Sequence, residues 1–160
     1  MAQITYRTIG IIHSPFAETT GMPIQAKAAE GVPGRVVIEP ELVAGLRDLE
    51  GFSHIILLYH FHLSEGYSLE VKPFLDDRQH GVFATRAPKR PNSIGLSVVR
   101  LTGVADRTLE ICDVDVVDGT PLLDIKPYVP AFDVRQVERI GWLADNAQRM
   151  NHIRADERFK

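Results

Sequence analysis

The sequence predicts a mainly β, single-domain protein: a β-barrel or barrel-like sheet with a short helix after the second strand and a second helix at the C-terminus. Three observations predict it. Seven or so short runs have strand length and β-branched composition, and Gly- or Pro-bearing connections separate them. Only two segments carry helical spacing. The chain has 160 residues, 44% hydrophobic and 24% charged, enough for one real core and too few for a second full domain. Short strands with few helices bury their apolar faces most simply by closing the sheet on itself.

The elements follow in order. "ITYRTIGII" (4–12) reads as a strand stopped by Pro15, and "RVVIEP" (35–40) as a second stopped by Pro40. The connection 16–34 is long and strandless, a length that favours function or disorder. "PELVAGLRDL" (40–49) opens with Pro and spaces Leu42, Leu46 and Leu49 helically, so a short helix precedes Gly51. "HIILLYHFH" (54–62) is a nearly continuous apolar run, which predicts a central strand covered on both faces. "GVFAT" (81–85) is read as a fourth strand. "IGLSVVRLTGVA" and "TLEICDVDVV" flank Asp106-Arg107 as a long hairpin. Pro127 makes "LLDIKPYV" an edge strand, and Asp118-Gly119 a turn before it. Last, Asp133 caps "VRQVERIGWLADNAQRM" with Gln136 three residues on, and Val134, Val137, Gly141, Ala144 and Ala147 share a face. The expected division is a barrel domain over 1–132, then a helix and polar tail over 133–160.

Composition narrows the function classes. "MAQITYRTIG" has no basic segment leading an apolar one, and no apolar run approaches the ~20 residues that span a bilayer. Cys112 is the only cysteine, so neither a disulfide within the chain nor a cysteine-based zinc site is available. A soluble, cytoplasmic protein with no membrane partner is expected. The formal charge is −3, yet Arg78, Arg86, Lys89, Arg90 and Arg100 fall in a stretch without an acidic residue until Asp106. A positive island on an acidic body suggests an anionic partner.

Spacing sharpens that suggestion. No G-x-G-x-x-G follows a strand, no P-loop occurs, and Ser97 lacks a nucleophile-elbow pattern. In "TRAPKRPNSIGLSV" (85–98), Pro88 and Pro91 stiffen the path through Arg86, Lys89 and Arg90, Asn92 can read an amide or base edge, and Gly95 admits a close approach. His54, His60 and His62 share parity, and a cupin-like metalloenzyme using His60 and His62 would need them to converge with a carboxylate. Glu65 lies too close behind His62 in "SEGY", which favours a structural or ligand-contacting role, and no metal is assigned. Asp113, Asp115 and Asp118 fit a metal site, a solvated strand edge or a segment holding a polar ligand, with Asp113 and Asp115 on one face by alternation.

Taken together, "IGIIHSPF", "GMPIQ", "GLRDLEGFSHI", "GVFATRAPKRPNSIGLSVV" and "DGTPLLDIKPYVP" resemble the TsaA-like domain family across about residues 9–132. That resemblance implies a β-barrel methyltransferase dependent on S-adenosylmethionine, which methylates N6 of threonylcarbamoyladenosine beside the anticodon of tRNA, and commonly a homodimer. By the same resemblance the cofactor-binding positions are Ala26, Lys27, Ala28, His62, Leu63, Arg86, Leu96, Cys112, Asp113, Val114 and Asp115. Lys89, Arg90, Asn92 and Arg100 are then the RNA contacts, and Phe83 and Tyr128 candidate stacking groups, with core packing the other reading for Phe83. Arg149, Arg154, Arg158 and Lys160 in the tail are further candidate RNA contacts, with a frayed helix end the other reading. No catalytic base is identified; Arg86, Asp118, Lys126 and Tyr128 are the candidates. A nucleoside- or RNA-binding barrel without catalysis would share every one of these motifs.

Overall fold

The structure is a computed structural model describing residues 2–144 and 155–156. Six strands close into an antiparallel barrel in the order β1-β2-β7-β6-β3-β8. They are β1 (Gly10–His13), β2 (Pro33–Ile38), β3 (His54–His60), β6 (Ile94–Ala105), β7 (Thr108–Cys112) and β8 (Thr120–Pro127). Two short strands, β4 (Glu70–Val71) and β5 (His80–Gly81), pair outside it.

Alternation fills the barrel. Along β6, Gly95, Ser97, Val99 and Leu101 point inward, while Ile94, Leu96 and Arg100 are exposed. On β3 the inward set is Ile55, Leu57 and Tyr59. These meet Ile12, Val36, Leu109 and Leu122 in one buried cluster. Each fully buried Leu or Ile contributes roughly 1.5–3 kcal/mol.

Several expectations need correction. β3 alternates rather than being covered on both faces; His54 and His60 take its outer side, and His62 lies beyond its end. The imidazoles therefore do not converge inside the barrel as the cupin-like reading requires. β1 starts at Gly10, because Ile4 and Tyr6 find no cover and remain 71% and 65% exposed. "GVFAT" is not a strand: β5 ends at Gly81, and Val82–Ala84 turns as a 3-10 helix that buries Val82. β8 is no edge strand, since it pairs with both β1 and β3 and Pro127 sits at its last position, where a missing N–H costs least. β7 stops at Cys112, since Asp113 adopts φ 72° and breaks the alternation assumed for Asp113 and Asp115. The helix after β2 exists at Pro40–Leu46 as a 3-10 helix.

The long C-terminal helix does not form within the described residues. Only Pro130–Asp133 (α1) is α-helical there, with a single 3-10 turn at Gly141–Leu143, and Asp133, rather than capping a following helix, accepts a hydrogen bond from Val129 N at 2.7 Å. Val134, Val137 and Ile140 are all largely exposed, so the apolar stripe has no surface to cover. Gly141 takes φ 59°, which an α-helix cannot accommodate. The remainder of that predicted helix, Ala147 included, and tail residues Arg149, Arg154, Arg158 and Lys160 lie outside the described residues. No described helix is long and apolar enough to cross a membrane.

Candidate active site

A cleft of about 1740 Å³ opens beside β3 and β6, at one side of the barrel. Its floor follows from strand pairing. Tyr59 lies opposite Gly95 across the β3–β6 ladder, and Leu57 opposite Ser97. Both polar side chains face inward among hydrocarbon, Tyr59 4% and Ser97 3% exposed, so each must find a partner. Ser97 Oγ donates to Asp115 Oδ1 at 2.6 Å, and that direction leaves the Tyr59 hydroxyl to donate to Ser97 Oγ at 3.0 Å.

The chain ends on a carboxyl with unusual electrostatics. Burial pushes Asp115 up to about 6, against the stabilising bond from Ser97 and the nearby positive charge of Arg86. Burial also raises Tyr59, and the Asp115 charge adds to the effect. A buried carboxyl of this kind is costly for stability and frequent where ligands bind.

One wall is the basic loop. Arg86 Nη1 donates to Gln25 Oε1 at 2.9 Å, tying residues 85–98 to the turn before Ala26–Ala29. Stiffness here has a source beyond the prolines: Arg90 Nη1 donates to the carbonyls of Thr85 (3.1 Å) and Ala87 (3.2 Å). Thr85 Oγ1 in turn donates to Val82 O and accepts from Ala87 N. Ala87 is buried with Val71 and Val82 in a satellite core, which fixes the base of the loop.

Of the residues singled out in the sequence, Ala26, Lys27, His62, Leu63, Arg86, Leu96, Asp113 and Asp115 line this cleft, as do Arg90, Asn92 and Arg100. Ala28, Cys112, Val114 and Lys89 do not line it. Val114 is buried in the core at 1% exposure. Asp113 Oδ1 accepts from Gly31 N at 2.8 Å and stands 3.9 Å from Arg100 Nη2. His62 is lowered, first by desolvation and then by the neighbouring His60. Three catalytic candidates lie outside the lining: Asp118 holds Ser14 N and His13, Lys126 pairs with Asp124, and Tyr128 meets the His54 ring edge-on at 6.5 Å. Phe83 is 77% exposed and lines the cleft, so its core-packing reading is overturned.

Sequence reasoning missed Tyr59, Ser97, Gln25, Ser64 and Trp142, all of which line the cleft. A signal for the first two was present: each is a hydroxyl in the otherwise apolar inward-facing row of its strand. Ser64 Oγ is buried without a hydrogen-bond partner among the described residues. An orphaned hydroxyl, a destabilised carboxyl and a guanidinium on one cleft fit a ligand carrying both charges and several polar groups, such as an amino-acid nucleoside. Among the described residues no group of three His, Cys, Asp or Glu side chains could hold a metal ion.

The chain resembles known proteins over the segments that build this cleft. A family model described as the tRNA-methyltransferase O N-terminal domain matches residues 11–134. A probable S-adenosyl-L-methionine-binding protein of Pyrococcus abyssi is 58% identical over 156 residues, 98% of this chain and 85% of that protein. The human tRNA (adenine(37)-N6)-methyltransferase is 36% identical over 80% of this chain, which spans 31% of the human protein. A crystal structure of TrmO from Pseudomonas aeruginosa superposes with a TM-score of 0.74 at 39% identity, covering 88% of this chain and 63% of that one. The chain therefore spans under two thirds of that TrmO and about a third of the human enzyme.

Proposed function

We propose, from the premise that this chain belongs to the tRNA-methyltransferase O N-terminal domain family, that it transfers a methyl group from S-adenosylmethionine to N6 of threonylcarbamoyladenosine beside the anticodon of tRNA. The observation that carries the reading is convergence. Positions from four separate segments, Ala26 and Lys27, His62 and Leu63, Arg86 and Leu96, and Asp113 and Asp115, border one cleft whose polar groups suit an amino-acid nucleoside. The cofactor, when bound, supplies a methyl group already activated on a positive sulfur, so no metal or covalent enzyme intermediate is needed.

The chain's own residues position and desolvate. Arg86 offers a planar fork to a carboxylate, either that of the cofactor or that of the threonyl group. Asp115 and Ser64 supply an acceptor and a hydroxyl for polar groups of the nucleoside, and Leu63 and Leu96 exclude water around them. Near-attack placement of N6 then accounts for the rate. We further read the protein as a cytoplasmic homodimer, a reading supported by the exposed apolar side chains of Phe132 (70%) and Val137 (66%), which lie outside the cleft lining. Light scattering tests the dimer; a monomer at micromolar concentration removes it.

Two outcomes test the assignment directly. Calorimetry is expected to show S-adenosylmethionine binding that weakens as pH falls through about 6, where Asp115 takes up a proton and ceases to be a pure acceptor. The loss approaches about tenfold one pH unit below that value, and Asp115→Asn abolishes the pH step. Stability of the free protein moves the other way. Asp115 has a folded value above its unfolded one, so its contribution is fully present below the unfolded value and is lost as pH rises through about 6. A pH-independent Kd for the wild-type protein removes Asp115 from the cofactor's contacts.

Transfer assayed on tRNA bearing threonylcarbamoyladenosine and on the same tRNA lacking that modification tests the substrate; equal rates overturn the threonylcarbamoyl assignment. Lys89→Ala is expected to reduce the salt slope of RNA binding by about one, as for a single phosphate contact. Arg90→Ala acts differently, because it also releases the carbonyls of Thr85 and Ala87. It lowers transfer by more than its change in salt slope explains.

A further inference from the structure

We propose that Trp142 is a fixed stacking platform for an unpaired base of the RNA at the mouth of the cleft, an inference that rests on the reading of this cleft as an RNA methyltransferase site. Trp142 belongs to neither buried core cluster. It is nevertheless held at one edge and on one face of its ring system. Its indole Nε1 donates to Ala84 O at 2.8 Å. One face lies on the His80 imidazole, centroids 4.5 Å apart and planes 20° from parallel. His80 Nε2 is itself 3.0 Å from Asp76 Oδ2, and that bond is the main cause holding the Asp76 carboxyl down at about 2. The left-handed turn at Gly141, φ 59°, delivers the indole to this position.

Which side of the indole is left for a ligand follows from the lining. Trp142 borders the cleft and His80 does not, so the imidazole backs the ring from behind. The ring's neighbours Gly141, Ala84 and Phe83 are exposed, which places it toward the mouth of the cleft. Its anchor Ala84 adjoins Phe83, which is 77% exposed, whereas Tyr59 and Ser97 of the floor are buried and Asp115 is half-buried. An aromatic ring held rigid at no cost to the core, with Phe83 and the basic loop beside it, has the features by which single-stranded RNA is held: base stacking next to cations. Preorganisation matters here, since a ring already immobilised loses little entropy when a base lands on it.

Trp142 is the single tryptophan of the chain, which makes the test direct. With S-adenosylhomocysteine present, titration of the wild-type protein with a synthetic anticodon stem-loop RNA is expected to quench tryptophan emission, with the same Kd as anisotropy reports. An abasic substitution at one loop position removes the quenching. S-adenosylhomocysteine alone leaves emission unchanged; full quenching by it would assign the ring to the cofactor's adenine and overturn the proposal. Trp142→Ala should raise KM for the RNA about tenfold, and Trp142→Phe no more than about threefold, because phenylalanine keeps a stacking face. Both variants lose the bond to Ala84, so equal losses, or a weakened Kd for the cofactor, would show that Trp142 only anchors the wall carrying Arg86. Methyl transfer by wild-type protein with unchanged emission overturns the stacking role and leaves the proposed function standing. An RNA that neither binds nor accepts a methyl group overturns both.

Discussion

Arg86→Ala is expected to lower methyl transfer at least about a hundredfold in kcat/KM while leaving the unfolding temperature close to that of the wild-type protein. The two halves of that expectation have separate causes. Arg86 is exposed, and among the described residues its side chain bonds to Gln25 Oε1 on the opposite wall, so the fold loses one surface hydrogen bond there. The cleft loses more: the guanidinium that offers a bidentate grip on a carboxylate, a positive charge that moderates the buried Asp115, and the tie between its walls. Arg86→Lys keeps the charge without the fork and should recover only a minor part of the rate. Gln25→Ala, which removes the tie alone, separates positioning of the arginine from its contact with ligand. Steady-state kinetics with tRNA, alongside a thermal melt of each variant, decides the matter. An Arg86→Ala protein with undiminished transfer would remove the loop from the chemistry and with it the proposed site.

The barrel was legible because alternation is local, whereas the errors fell where tertiary context decides. β6 and β7 were visible as a hairpin around Asp106-Arg107, and the structure puts Asp106 at φ 51°, the backbone state that a tight turn demands. By contrast, "VRQVERIGWLADNAQRM" has helical spacing and a capping pattern, yet nothing in the sequence says whether a surface exists to receive that stripe. Val137 at 66% exposure shows that over its described part none does. Pro127 misled in a related way: a proline reads as an edge signal, but closure of the barrel removes edges, and the last residue of a paired strand tolerates it equally well. The site was half visible. Residue types and stiffness marked the loop of Arg86, while the Tyr59–Ser97–Asp115 chain depends on register between β3 and β6, which single-strand patterns do not encode. Trp142 was hidden for the same reason, placed in the sequence reading inside a helix that the left-handed Gly141 excludes.

Gly95→Ala should be strongly destabilising, because register puts this glycine directly across from Tyr59. An added Cβ would stand 2.8 Å from Tyr59 Cδ2 and nearer still to two other ring carbons, a spacing that no side-chain pair adopts. The ring is held against moving aside. It is 4% exposed, packs edge-on against Phe61 at 5.4 Å, and is held by its hydroxyl at Ser97. Overpacking of this kind costs about 1–3 kcal/mol, which for a chain of this size lowers the unfolding temperature by roughly 2–12 °C. Displacement of the ring also breaks the donor sequence that ends at Asp115, so cofactor affinity should fall together with stability, although Gly95 itself offers no side chain to any ligand. Gly45→Ala provides the control, since its new methyl group would meet nothing within 4 Å. Circular dichroism melts and calorimetry on both variants distinguish the outcomes. Wild-type stability in Gly95→Ala would mean that β3 and β6 do not pair in this register, and the floor of the cleft would have to be redrawn.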